Sequence, residues 1–141
     1  MPIKKLKVVV DTNLWISFLI SRKFETIDSL FELNNITLVF SEELLEEFIE
    51  VAKRPKFEKY FSLTDLINLL NQIYYVAEFI EVKSEINICR DQKDNFLLSL
   101  SKDSRSNFLI TGDKDLLELQ KIEKTRIITM SEFLSLRIHH R

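Results

Sequence analysis

Two short apolar runs in this chain each stop at an aspartate. Lys7-Val8-Val9-Val10 leads into Asp11-Thr12-Asn13, and Phe108-Leu109-Ile110 leads into Thr111-Gly112-Asp113. Neither run alternates with polar residues, so each reads as a strand covered on both faces, as in a central parallel strand between helical layers. The carboxyl ends of such strands line the crevice where open α/β sheets bind ligands. If the two strands are neighbours, Asp11 and Asp113 converge there. Such a carboxylate pair is tolerated only with a shared proton or a cation between its members, which makes a hard metal with oxygen ligands the natural occupant.

Two further acids point the same way. In the helix that Ser41 should cap, Leu44, Leu45, Phe48, Ile49, Val51 and Ala52 form an apolar arc. Stepping about 100° per residue puts Glu43, Glu46 and Glu50 on the far face and Glu47 on the border of the arc. Asp91-Gln92-Lys93-Asp94 opens another helix, with Asp94 on the face of Leu97, Leu98 and Ser101, directed towards the sheet. Each acid also has a structural reading. Asp11, Asp91 and Asp113 all suit helix N-caps, Asp94 suits the positive end of a helix dipole, and Glu47 suits a solvated helix border. Four such acids at one end of one sheet say more than any one of them.

The elements that must position these side chains emerge from periodicity. Helical spacing marks Leu14 to Ile20, Phe24 to Leu33, Ser41 to Lys53, and a longer helix capped by Thr64 and carrying Leu66, Ile67, Leu69, Leu70, Ile73 and Tyr74. A turn of helix covers Phe57 to Tyr60, and the last helix starts at a Ser131 cap. Strands are expected at Ile36 to Phe40, at Glu78 to Val82 near an edge, and at Arg126 to Thr129. Strands alternating with helices predict a three-layer α/β/α sandwich on a parallel sheet. Residues 1–135 are expected to form one domain, with 136–141 a flexible tail that includes His139, His140 and Arg141.

Composition narrows the class. A length of 141 residues suffices for a core without disulfides, and the lone Cys89 offers none. Apolar residues make up 45 % and no run approaches membrane-spanning length, so no membrane association is expected. The first residues lack a signal-peptide core, which points to the cytoplasm. A net charge of −2 gives no overall basic footprint, so any nucleic-acid contact must be local.

With these residues in hand, the chain resembles the PIN-domain family, in particular the toxin components of toxin–antitoxin pairs. The matching pieces are Val9-Val10-Asp11-Thr12-Asn13, Ser41 to Glu47 leading to Arg54-Pro55-Lys56-Phe57, Cys89 to Asn95, and Leu109 to Leu116. The resemblance implies a five-stranded parallel sheet and a metal-dependent ribonuclease using Mg2+ or Mn2+. It maps the four metal-binding, catalytic acids to Asp11, Glu47, Asp94 and Asp113, with Asn13 and Thr111 supporting them and Asp115 and Asp91 as neighbours that only some members use. It also implies frequent dimerisation and an antitoxin partner. Lys53, Arg54, Lys56 and Lys59, which come after the Glu47 helix, are candidates to guide RNA through phosphate contacts. Ser104-Arg105-Ser106-Asn107 departs from the family, lacking the small residues usual before the fourth acid.

Two rival readings exist. A phosphotransfer domain of dehalogenase type wants an aspartate two residues after the first, where this chain has Asn13. A non-catalytic PIN-like module binding RNA or protein would not need all four acids.

Overall fold

The computed structural model describes residues 5–32 and 35–139, the side chains of Phe24 and residues 137–139 excepted. Leu33, Lys4, His140 and Arg141 thus lie outside the described residues. In chain order the elements are β1 (Leu6–Val10), α1 (Thr12–Ile20), α2 (Phe24–Phe31), β2 (Ile36–Phe40), α3 (Glu42–Ala52), a 3-10 turn (Pro55–Phe57), α4 (Leu63–Val76), β3 (Ala77–Phe79), α5 (Gln92–Ser104), β4 (Phe108–Ile110), α6 (Lys114–Leu117), β5 (Lys121–Ile122), β6 (Thr125–Ile128) and α7 (Met130–His139).

One sheet of order β3-β2-β1-β4-β6-β5 runs through the molecule. Its first five strands are parallel, as expected. A sixth, the two-residue β5, is antiparallel to β6 and carries no signal in the sequence pattern. The chain steps outward from β1 through β2 to β3, then crosses back to place β4 on the other flank of β1, with Val10 opposite Ile110. That reversal of strand order is the switch point at which α/β sheets open a crevice. Val8, Val9, Val10, Leu109 and Ile110 are almost wholly buried, which explains the unbroken apolar runs.

Several boundaries differ from the sequence reading. Ser62, not Thr64, caps α4, through a reciprocal capping box with Asp65 that starts the helix earlier. Thr129, not Ser131, sits before α7 and exchanges hydrogen bonds with Glu132. That helix runs on to His139, so residues 136–139, expected in a tail, are helical. The strand expected over Glu78 to Val82 is only Ala77–Phe79.

After Ile80, whose N–H still donates to the Phe40 carbonyl of β2, the segment is held by a helix instead of by the sheet. Residues 80–91 form neither helix nor strand, yet side chains of α5 meet them at regular intervals. Asp103 accepts from the N–H groups of Lys83 and Ser84 and from the Ser84 hydroxyl. Ser99 Oγ accepts from the Ile86 N–H, and Asn95 Oδ1 from those of Ile88 and Cys89. Acceptors four apart on a helix rise about 6 Å, and alternate residues of an extended chain are about 6.6 Å apart. The two periods match, so α5 serves this segment as a strand would. Burial opposes ionisation of Asp103, but the donors from Ser84 and Lys83 outweigh it and hold the carboxyl below its usual range.

The departure at residues 104–107 is also accommodated. Arg105 takes the left-handed conformation at the C-terminus of α5 (φ 55°), a place where glycine is usual. Buried Ser104 and Ser106 hydrogen-bond each other at 2.6 Å, and Asn107 Oδ1 accepts from the Lys7 N–H at 2.9 Å, tying the turn to β1.

Candidate metal centre

Each acid reaches the crevice by a device visible in its own neighbourhood. Asp11 ends β1 and caps α1, its Oδ1 accepting from the Asn13 N–H at 3.0 Å. Asp113 comes shortly after β4 and caps α6 through the Asp115 N–H at 2.8 Å. Asp91 caps α5 through the Lys93 N–H, which sets Asp94 in the first turn. The capping and chemical readings are therefore compatible, because a carboxylate has lone pairs to spare after accepting one N–H.

Oxygens of Asp94, Asp113 and Asp115 all lie within 4.8 Å of one another. Asp94 is 5 % exposed, and its Oδ2 is buried without a hydrogen-bond partner. Burial first, then the charges of Asp113 and Asp91, push its pKa up to about 7. A buried carboxylate with one oxygen unpartnered, clustered with two other carboxylates, is an arrangement that a divalent cation would satisfy. The donor set is all oxygen, as a hard ion requires. Asp115, expected as an occasional neighbour, is thus part of the tightest group.

Asp11 lies beside this group. It is buried, and its Oδ2 accepts from the Thr111 hydroxyl at 2.8 Å. The same hydroxyl oxygen accepts the Asp113 N–H at 3.0 Å, so Thr111 supports two acids, as expected of it. Burial raises the Asp11 pKa, the donors from Asn13 and Thr111 act against this, and the charges of Asp113 and Glu47 add to it. Asn13 supports Asp11 through its backbone alone among the described hydrogen bonds; its side chain is exposed.

Glu47 is half-buried, while Glu43, Glu46 and Glu50 are placed on the far face by the helical phase; of these, Glu43 and Glu46 flank buried Leu44 and Leu45 from the solvent side. Glu47 stands at the rim, close enough for its charge to reach Asp11, and pairs with Lys93 at 3.4 Å. Asp91 remains a cap, outside the group of three. Lys53, Arg54, Lys56 and Lys59 are exposed, with Lys56 over the Phe57 ring and Lys59 over Tyr60. Sequence reasoning passes over Arg90, whose guanidinium hydrogen-bonds Asp115 at 3.3 Å, and Lys93. The only hint is two cations set among the acids of one motif.

Comparison with known proteins identifies the family. The family model of the PIN domain matches residues 7–115, which span every acid described above. An uncharacterized protein of Methanocaldococcus jannaschii, MJ1680, is 33 % identical over 124 residues, covering 85 % of this chain and 79 % of that protein. PIN domains are generally metal-dependent nucleases, and the acid crevice at the β1–β4 switch point is where such chemistry would sit. With its family model matched from β1 into α6, the chain belongs to the PIN-domain family.

Proposed function

We propose that this protein is an endoribonuclease that hydrolyses RNA phosphodiester bonds with Mg2+ or Mn2+, and that it is the toxin of a toxin–antitoxin pair. The observation that carries the metal-dependent reading is the buried Asp94 carboxylate, whose Oδ2 has no hydrogen-bond partner and which has an oxygen within 4.8 Å of oxygens of Asp113 and Asp115. Asp94, Asp113 and Asp115 would hold the ion, with Asp11 and Glu47 completing the acid ring. A bound divalent ion supplies charge neutralisation at the phosphate and an activated water. The chain's own part is to fix the acids: Thr111 orients Asp11 and Asp113, and the caps of α1 and α6 lock their rotamers. Lys53, Arg54, Lys56 and Lys59 would guide the RNA backbone.

Cleavage of a labelled single-stranded RNA in Mn2+ or Mg2+, suppressed by EDTA and by Asp94→Asn, is the expected result. RNA binding without cleavage under all metals would favour the non-catalytic module instead. The toxin role predicts growth arrest on expression in a bacterial host, relieved by a co-expressed antitoxin. Sedimentation would test the dimer that the family resemblance implies, and fractionation the cytoplasmic location; among the described residues no helix is long and apolar enough to cross a membrane.

A further inference from the structure

Two cations stand at the rim of the acid crevice, and both come from the segment that delivers Asp94. Arg90 lies just before the Asp91 cap, and Lys93 is the second residue of α5. Arg90 Nη2 is 3.3 Å from Asp115 Oδ2, and Lys93 Nζ is 3.4 Å from Glu47 Oε1. One reaches across to α6 and the other to α3, so the two cations tie the segment before Asp94 to two different elements of the crevice. Neither serves Asp94 itself, whose Oδ2 is left bare.

As structural ties these pairs are poor. The Arg90 side chain is 91 % exposed and that of Lys93 59 %, and ion pairs so open to water contribute little to stability. They are easily given up. An RNA approaching a ring of carboxylates meets repulsion unless donors at its edge take up phosphate oxygens. A guanidinium offers a planar fork suited to phosphate, and an ammonium a compact point charge.

From this placement we infer that Lys93 and Arg90 are substrate-holding residues: they pair with Glu47 and Asp115 until a divalent ion engages those carboxylates, and then bind the phosphates flanking the scissile bond. The inference rests on the nuclease reading above. Metal and RNA would then be coupled through the same two side chains. Occupying Glu47 and Asp115 frees the cations for RNA, and removing the cations frees the acids for metal.

The test uses the full chain with Lys93→Gln, Arg90→Gln, the double variant, and Lys93→Arg as the charge-retaining control. Mn2+ binding is measured by calorimetry, and cleavage of a single-stranded RNA by steady-state kinetics over a range of salt. Each neutral variant should raise KM with kcat little changed. The slope of log(1/KM) against log salt should flatten by about 0.7 per cation lost, the value for a phosphate contact on a single strand. Mn2+ affinity should rise, because an acid loses its competitor, and Lys93→Arg should keep the parent slope. An unchanged salt slope, or weaker Mn2+ binding in the neutral variants, would overturn the inference while leaving a cleaving, metal-binding parent intact. A parent that neither binds Mn2+ nor cleaves would overturn both readings together.

Discussion

The Thr111 hydroxyl donates to Asp11 Oδ2 at 2.8 Å across the junction between β4 and β1. Since its oxygen also accepts the Asp113 N–H, one side chain sets the position of two acids from different strands. Thr111→Val keeps the shape and removes both bonds. A loss of roughly 1–3 kcal/mol is expected, the cost of leaving buried polar groups unpaired. Thr111→Ser should recover most of it. Urea denaturation of the three proteins in EDTA checks this, and equal stability of the valine and serine variants would contradict it.

Asp94 makes the metal-free protein sensitive to pH. Its carboxyl titrates near 3.8 unfolded and about 7 folded, because of burial and the charges of Asp113 and Asp91. Between these values the native state holds a proton that the unfolded state has released. Stability in EDTA should therefore fall as pH rises from about 4 towards about 7, and level off above. Asp94→Asn should flatten that slope and raise the melting temperature at a pH of about 8, where the parent carries the full cost of the buried charge. It should also abolish metal-dependent cleavage. A pH profile identical in parent and variant would remove Asp94 from this role.

Glu47 and Glu46 are neighbours on α3 with different surroundings, Glu47 at the crevice rim with its charge felt by Asp11 and Glu46 on the far face. Glu47→Gln should weaken metal-dependent cleavage by roughly 100-fold, at least the loss seen when even the supporting partners of metal ligands are removed. Glu46→Gln should leave it unchanged. Comparable losses at both positions would mean that surface charge, not position, governs the rate.

Asp113 distinguishes cap from ligand. Asn also caps helices well, so Asp113→Asn should cost α6 little. It relieves repulsion among the acids, so the melting temperature in EDTA should rise, while the stabilisation gained on adding Mn2+ should shrink. Thermal melts in both conditions check this. A shift of the same sign and size in each would mean that Asp113 does not couple to metal.

How much of this is legible in the sequence depends on how local the determining forces are. β2 and β4 can be read to the residue, because short runs of β-branched, aliphatic and aromatic residues bounded by polar ones have few alternatives. The convergence of Asp11 and Asp113 comes from the same logic once β1 and β4 are taken as neighbours. The Ser62–Asp65 and Thr129–Glu132 pairs are also visible as spacings three apart, but Thr64 and Ser131 lie nearer the apolar runs and compete with them as caps. β5 escapes because two residues carry no periodicity. The Lys93–Glu47 pair escapes because its partners are far apart in the chain, and only the fold brings α3 and α5 together.

The side-chain rungs of Asn95, Ser99 and Asp103 also restrict how this protein's length can vary. They engage the chain at Ser84, Ile86 and Ile88, so one period of the extended segment equals two residues and one period of the helix equals four. Adding or removing a single residue between positions 84 and 88 would take a rung off its N–H partner and break the alternation that half-buries Val82, Ser84 and Ile86. Changes in pairs keep the alternation but slide the residues before them by about 6.6 Å along α5, because Asp91 is fixed as its cap and Ile88 and Cys89 are held by Asn95. The segment therefore works as a ruler laid along the helix, and the least disruptive way for relatives to lengthen this connection is at residues 81–82, between the Ile80 N–H, which donates to the Phe40 carbonyl, and the first rung.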